Sequence, residues 1–100
     1  MPELTVLKVR EFHETMLDDA YVDLPPGIYG WGFVMLGDNE EWAYFSFSSA
    51  GVPVISTGST NAVTTDTDAK FCIFDNGINV RVRNRLGSAK DFTAIIYSHK

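Results

Sequence analysis

This 100-residue chain has a single cysteine, Cys72, so it cannot form an intrachain disulfide. That absence excludes a small secreted scaffold held together by disulfides. The chain also lacks a long apolar run, since no stretch approaches the roughly 20 apolar residues that a membrane-spanning helix needs. It begins Met1-Pro2-Glu3, without a basic and apolar leader. We therefore expect neither a signal peptide nor membrane insertion.

Basic residues are few, with 8 Lys and Arg against 13 Asp and Glu and a net charge of −5. Binding to DNA or RNA through phosphates needs a local excess of basic residues, so no nucleic-acid partner is expected. The two histidines, His13 and His99, have no acid, serine or cysteine beside them in a known catalytic pattern. So few His and Cys residues also argue against a zinc site. We predict a protein that is not an enzyme and holds no metal or cofactor.

Aromatic and β-branched residues are plentiful, and they alternate with polar ones between frequent turns. This pattern predicts an all-β chain: a small antiparallel, jelly-roll-like β-sandwich of seven or eight short strands, in one domain over residues 1–100. The early strands are predicted at Leu4–Phe12, Ile28–Leu36, Glu41–Ser48, Val52–Thr57 and, more briefly, Asn61–Thr65.

Two of these segments need comment. Pro53 interrupts the Val52–Thr57 strand and predicts a place at the edge of a sheet. Val9, Phe12, His13 and Met16 also sit at helical spacing, so a helix over Val6–Leu17 is an alternative to the first strand. We favour the strand, followed by a turn or short helical piece over Glu14–Ala20.

The segment Phe71–Tyr97 is the most informative part of the chain. It contains apolar runs at Phe71–Phe74, Val80–Arg83 and Phe92–Tyr97, separated by turn residues around Gly77 and Gly87. This pattern predicts a three-stranded β-meander. Cys72 lies between two apolar neighbours and is predicted to be a buried small hydrophobic residue.

Four aromatic residues, Tyr29, Trp31, Trp42 and Tyr44, lie on two strands that we expect to pair as a hairpin. If the strands pair, these side chains share one face. Such a face stacks on sugar rings or forms an oligomer interface. Together the two strands carry more apolar surface than one inner face needs, so we infer that a partner covers the remainder.

Arg81, Arg83 and Arg85 alternate with Val80 and Val82, so they line one face of their strand. Three guanidinium groups in a row suit an anion or an acidic partner, including a partner subunit. The alternative is cross-strand pairing with the chain's own Asp and Glu residues. The sequence leaves both interpretations open.

Acidic residues cluster at Asp38, Glu40 and Glu41, and again at Asp66 and Asp68. Neither group has the spacing of a calcium-binding loop. The first group is interpreted as a solvated hairpin turn, and the second as turn residues that accept local backbone hydrogen bonds.

The C-terminal third resembles β-sandwich structural proteins of tailed bacteriophages. The resemblance rests on Lys70–Gly77, a strand and turn, and on Val80–Ser88, which reads Val-Arg-Val-Arg-Asn-Arg-Leu-Gly-Ser, followed by the final strand. The proteins it resembles are head fibres, capsid decoration proteins and tail-associated proteins. The first sixty residues carry no such resemblance, and the coiled-coil or collagen-like stalk of a long fibre is missing.

The resemblance implies a virion protein, assembled in the host cytoplasm, that forms homo-oligomers, often trimers, and contacts other virion proteins. We therefore expect a non-enzymatic decoration, tail or fibre-associated subunit, with Tyr29, Trp31, Trp42, Tyr44 and the three arginines as interface residues. The alternative is a carbohydrate-binding module or adhesin that stacks a host-surface glycan on Trp31, Trp42 or Tyr44.

Overall fold

The computed structural model describes residues 7–48 and 51–99. Within these residues the chain forms strands and turns and no helix. The strands are β1 (Lys8–Met16), β2 (Tyr21–Asp23), β3 (Gly30–Leu36), β4 (Glu41–Phe47), β5 (Val54–Gly58), β6 (Ala62–Val63), β7 (Phe71–Asp75), β8 (Val80–Asn84) and β9 (Lys90–Ser98). The predicted all-β class is confirmed. The strand count is above the expected seven or eight because the short β2 has too few residues to show a pattern.

The strands form two sheets, of five and four strands, in the orders β1-β9-β3-β4-β5 and β2-β8-β7-β6. Neighbours run antiparallel except β6 and β7, which run parallel. The first two strands pair with the last two, β1 with β9 in one sheet and β2 with β8 in the other. The arrangement is a small β-sandwich, as the sequence predicts.

The core lies between the sheets because each strand alternates inward apolar and outward residues. In β4, Ala43, Phe45 and Phe47 are buried, whereas Tyr44 and Ser46 between them are exposed. The inner faces together bury chiefly Val34, Leu36, Ala43, Phe45, Phe47, Phe71, Ile73, Val80, Val82, Phe92, Ala94 and Ile96. The face of β4 that carries Trp42, Tyr44 and Ser46 is therefore the outer one.

The predicted meander over Phe71–Tyr97 is wrong. β7 and β8 form a hairpin, but β9 crosses to the five-stranded sheet and lies between β1 and β3. The buried side chain of Asn84 fixes this crossing. Its Nδ2 donates to the carbonyl oxygens of Met16 at 3.0 Å and Ser88 at 2.9 Å, which ties the turn after β8 to the end of β1.

The first strand is displaced from its predicted range. Residues 4–6 of the predicted Leu4–Phe12 strand lie outside the described residues, and β1 continues to Met16. Glu14 to Met16 are therefore strand, where we expected a turn or helical piece, and the chain turns only afterwards, at Asp18 and Asp19.

The helical alternative over Val6–Leu17 is also wrong. Phe12 and Met16 both pack on the core from β1. Residues four apart share a face in a strand as they do in a helix, so their spacing does not separate the two structures. Pairing of all nine β1 residues with β9 decides for the strand.

Two later predictions are confirmed. β5 lies at the edge of its sheet and follows directly after Pro53, which has no N–H to donate to a ladder. β6 falls within the short strand predicted at Asn61–Thr65.

Candidate functional site

The outer face of the five-stranded sheet carries a group of five aromatic residues. Residues that lie directly opposite each other on paired strands point to the same face. From β1 to β5 the outward rows are Val9, Tyr97, Trp31, Ser46 and Val54; then Glu11, Ile95, Phe33, Tyr44 and Thr57; then His13, Thr93, Met35 and Trp42.

The apolar members of these rows are contiguous, and we call them the aromatic face. It consists of Trp31, Phe33, Met35, Trp42, Tyr44, Ile95 and Tyr97, with Val9 and Val54 at its two margins. Glu11 and His13 border it on β1, and Ser46 and Thr57 interrupt it toward β5. The face therefore extends over all five strands of the sheet.

Much of this apolar surface is open to water. Trp31 is 50% exposed, Tyr44 49% and Val54 62%. Phe33 and Met35 are partly buried, each opposite another member of the same face on the adjoining strands. Folded proteins rarely expose a contiguous apolar patch of this kind without a partner for it.

Ring stacking fixes the geometry of the aromatic face. The Trp31 and Tyr97 rings are nearly parallel, with centroids 5.5 Å apart and an angle of 20°. Tyr44 contacts Phe33 at 4.6 Å and meets Trp42 edge-on at 6.1 Å. These separations are within the favourable range for aromatic pairs. A partner would therefore meet a preformed surface and would order few side chains on binding.

The structure brings Trp31, Trp42 and Tyr44 together as predicted but sets Tyr29 apart. Tyr29 precedes the first residue of β3, is exposed, and stacks on His99 with centroids 3.8 Å apart. Its backbone N–H donates to Nδ1 of His99 at 3.2 Å. Tyr29 is therefore not part of the aromatic face, and its contacts with His99 hold the residue that follows β9.

Arg81 lies on the outer face of the other sheet and pairs within the chain. Its guanidinium holds both carboxylate oxygens of Asp23, at 2.7 and 3.0 Å, and its Cζ lies 3.7 Å from the centroid of the Tyr21 ring. The hydrogen bond to Asp23 raises the pKa of Arg81, which is charged at every working pH in any case.

Arg83 and Arg85 follow the same pattern. Arg83 donates to Asp66 at 3.1 Å and to the Asp19 carbonyl oxygen at 3.0 Å. Arg85 contacts Asp19 at 3.3 Å, Asp66 at 3.4 Å and Asp68 at 3.9 Å. Although burial opposes it, the hydrogen bond to Asp19 leaves the pKa of Arg85 raised. All three arginines, which we call the arginine stripe, engage carboxylates of the same chain.

Cys72 is buried as predicted, but by a loop and not by the core. It lies opposite Arg83 and so on the outer face of its sheet. Residues 64–70 cover it, and Sγ donates to the Thr67 carbonyl oxygen at 3.3 Å. Burial raises the pKa of the thiol, so little reactive thiolate forms at neutral pH.

The remaining polar candidates form no reactive cluster. Asp38 and Glu40 lie in the predicted turn, where Glu40 pairs with Lys90 at 2.6 Å, but Glu41 is the buried first residue of β4. His13 contacts Thr93 Oγ1 at 3.0 Å, toward the other end of β9 from His99. Within residues 7–48 and 51–99, no group of three His, Cys, Asp or Glu side chains could hold a metal ion.

Sequence reasoning missed two features near the site. The structural role of Asn84 carries no local signal, because its partners at residues 16, 17 and 88 meet it only in space. The exposed edge at β1 was missed for the same reason: which strand ends a sheet depends on pairings far apart in sequence.

Comparison of the chain with protein-family models, curated proteins and solved structures finds no match. The likeness to bacteriophage structural proteins therefore stays a prediction from the C-terminal residues. In the part of the chain that the structure describes, no helix has the length and apolarity to cross a membrane.

Proposed function

We propose that this chain is a non-enzymatic structural subunit of a tailed-bacteriophage virion, which self-assembles by burying its aromatic face and so coats or completes a larger shell or tail. The single observation that supports the proposal is the aromatic face itself. It is contiguous over β9, β3 and β4 and half exposed at Trp31 and Tyr44. The bacteriophage context comes from the resemblance of the C-terminal third.

The energetics favour assembly through this face. Burying the exposed half of a large aromatic side chain removes on the order of 100 Å² from water, which stabilises a complex by about 2 kcal/mol. Trp31 and Tyr44 both qualify, and partly exposed Trp42 and Tyr97 lie beside them. Aromatic residues grouped in this way are the usual anchors of protein interfaces.

The arginine stripe has a different role in the proposal from the one expected at first. Arg81, Arg83 and Arg85 already hold carboxylates of the same chain. We therefore assign them to stabilising the sheet and loop opposite the interface. Assembly relies on apolar burial, so it should depend only weakly on salt.

Sedimentation velocity of the purified chain over a concentration series tests the proposal. We expect association, and we expect the double substitution Trp31→Lys/Tyr44→Lys to remove the assemblies that bury this face, because it places two charges in it. Ile78→Lys is the matched control, since Ile78 is 73% exposed in the β7–β8 turn, away from the face. Equal association of the two variants would contradict the proposal. Capsid and tail genes beside this gene would support the virion context.

A second candidate function is glycan binding, favoured by the nearly parallel Trp31 and Tyr97 rings. Sugar rings stack on such flat aromatic platforms. A glycan array with the native chain and with Trp31→Ala and Trp42→Ala variants tests this alternative. Binding that persists in both variants would exclude the aromatic face as the platform.

A further inference from the structure

Among the residues that the structure describes, strand β1 is an edge of the five-stranded sheet. Within residues 7–48 and 51–99 it pairs with β9 alone. It is nine residues long, and Glu11, His13, Glu14 and Thr15 are all exposed. An edge of this length presents alternate backbone N–H and C=O groups that another strand can pair with.

Geometry limits how a second copy of β1 could add to this edge. In an antiparallel ladder, alternate residues direct their backbone groups to the same neighbour. Two copies related by a two-fold axis can therefore pair only when the axis passes between one residue and the same residue of the partner. Five central registers satisfy this condition, with the axis at Arg10, Glu11, Phe12, His13 or Glu14.

The charges of β1 discriminate among these registers. An axis at Arg10, Glu11 or Glu14 places two like charges directly opposite each other, which is destabilising. Of these three, only the axis at Glu11 also matches opposite charges, Lys8 with the partner's Glu14. An axis at His13 sets Phe12 against the partner's Glu14 and matches no opposite charges. Charged residues commonly protect an edge strand from pairing, and here they disfavour four of the central registers.

An axis at Phe12 places opposite charges, and no like charges, across from each other. Arg10 then lies opposite the partner's Glu14, and Glu11 opposite the partner's His13, each pair occurring twice by symmetry. Val9 faces the partner's Thr15, and the two Phe12 rings meet at the axis. Phe12 is partly buried and packs on the core from this edge, so a second ring would extend that apolar contact.

We propose that β1 pairs antiparallel with β1 of a second copy, with a two-fold axis at Phe12, and joins two five-stranded sheets into one of ten strands. The axis is perpendicular to the sheet, so both aromatic faces lie on the same side. The contact uses backbone and edge charges and does not rest on the proposed function. It predicts assemblies of even order, whereas the bacteriophage resemblance implies trimers.

Charge reversal at the two paired positions tests the register. Arg10→Glu alone sets two carboxylates opposite each other, because the substituted side chain faces the partner's Glu14. Glu14→Arg alone sets two guanidinium groups opposite each other in the same way. Each change converts two attractive pairs into repulsive ones and should weaken the dimer about tenfold or more. Mixing the two variants restores both pairs, so two proteins that each form the edge dimer weakly should form it together as a heterodimer.

Analytical ultracentrifugation of each variant and of the equimolar mixture gives the readout. Arg10 Nη1 also donates to Ser98 Oγ at 2.6 Å, so circular dichroism should check that Arg10→Glu folds. If it does not, Glu11→Lys and His13→Glu provide a second complementary pair on exposed positions. Trp31→Lys/Tyr44→Lys should leave the edge dimer intact, which separates this contact from the aromatic face.

Restored dimerisation in the mixture supports the proposal. A native chain that stays monomeric at about 100 μM would overturn it. Single variants that dimerise as tightly as the native chain, or folded variants that fail to complement each other, would overturn it as well.

Discussion

The Cys72 thiol lies 3.3 Å from the carbonyl oxygen of Thr67, beneath a loop that crosses the outer face of the four-stranded sheet. Asp66 anchors this loop through its contacts with Arg83 and Arg85, at 3.1 and 3.4 Å. The cysteine is therefore inaccessible because an ion-pair cluster holds the loop closed over it. This relationship links the arginine stripe to the reactivity of the thiol beneath the loop.

Removing the loop anchor should expose the thiol. Asp66→Ala loses both ion pairs, and partly exposed pairs of this kind contribute about 1 kcal/mol together, so local opening should become roughly fivefold more frequent. The rate at which Cys72 reacts with a thiol reagent under native conditions measures this opening.

Asp68→Ala is the matched control, because Asp68 is 87% exposed and lies 3.9 Å from Arg85. Its rate should equal that of the native chain. Identical rates in Asp66→Ala and Asp68→Ala would show that the Asp66 contacts do not hold the loop.

The buried thiol also predicts a pH dependence of stability. Burial raises the pKa of Cys72 above its ordinary value of 9.0. In the unfolded chain the thiol ionises at that ordinary value, so above pH 9.0 the unfolded state releases a proton that the folded state keeps. The free energy of unfolding should therefore fall as the pH rises through this window.

Urea denaturation between neutral and alkaline pH measures this decline, and Cys72→Ala isolates the contribution of the thiol. The variant should lose less stability than the native chain over the same range. If the free energy of unfolding falls equally in the two proteins, groups other than the Cys72 thiol cause the decline.

Asn84 should be the most sensitive polar position in the described chain. It is fully buried, its Nδ2 donates to the carbonyl oxygens of Met16 and Ser88, and its Oδ1 accepts from the backbone N–H of Leu86. Asn84→Asp keeps the oxygen that accepts from Leu86. It replaces the donating Nδ2 with a carboxylate oxygen, which then faces the carbonyl oxygens of Met16 and Ser88. We expect a loss of about 3 kcal/mol in the free energy of unfolding.

Asn39→Asp is a suitable control for Asn84→Asp. Asn39 is exposed in the β3–β4 turn with a φ of 61°, a conformation that Asp also tolerates. Its effect should stay within about 0.5 kcal/mol. Comparable losses in the two variants, measured by urea denaturation, would contradict the assigned role of Asn84.

A side chain at Gly32 should be costly, because a Cβ there would lie 2.5 Å from Cδ1 of the buried Ile96, which would have to shift. Gly32→Ala should cost about 2 kcal/mol through overpacking. Ile96→Val removes the clashing Cδ1 atom and on its own costs about 1 kcal/mol.

In a double-mutant cycle by urea denaturation, Gly32→Ala/Ile96→Val should be more stable than the sum of the single losses predicts, by about 1 kcal/mol. If the two losses in the free energy of unfolding simply add, the Ile96 side chain is not the reason that residue 32 must be glycine.

Local alternation was enough to predict the hairpin of β3 and β4 and the shared face of Trp31, Trp42 and Tyr44. It was not enough to say which face is internal. That depends on the position of the second sheet, which packs against Ala43, Phe45 and Phe47. The aromatic face could thus be described from the sequence but not oriented.

The errors arise where the fold depends on contacts distant in sequence. The turn after Asn84 looks like an ordinary hairpin turn, yet β9 leaves for the other sheet because Asn84 bonds to the end of β1. Cys72 was correctly predicted to be buried from its apolar neighbours, although its cover is the loop that contains Thr67. Ion pairing of Arg81 with Asp23 joins residues 58 positions apart, a distance over which a sequence gives no pairing signal.

The central claim is that the aromatic face becomes buried on assembly, and the fluorescence of Trp31 tests it most directly. In a Trp42→Phe variant, Trp31 is the only tryptophan and half of its surface is exposed. As the protein concentration rises, its emission should shift to shorter wavelength and its quenching by acrylamide should fall. Emission and quenching that stay constant while sedimentation shows association beyond the β1 edge dimer would contradict the account.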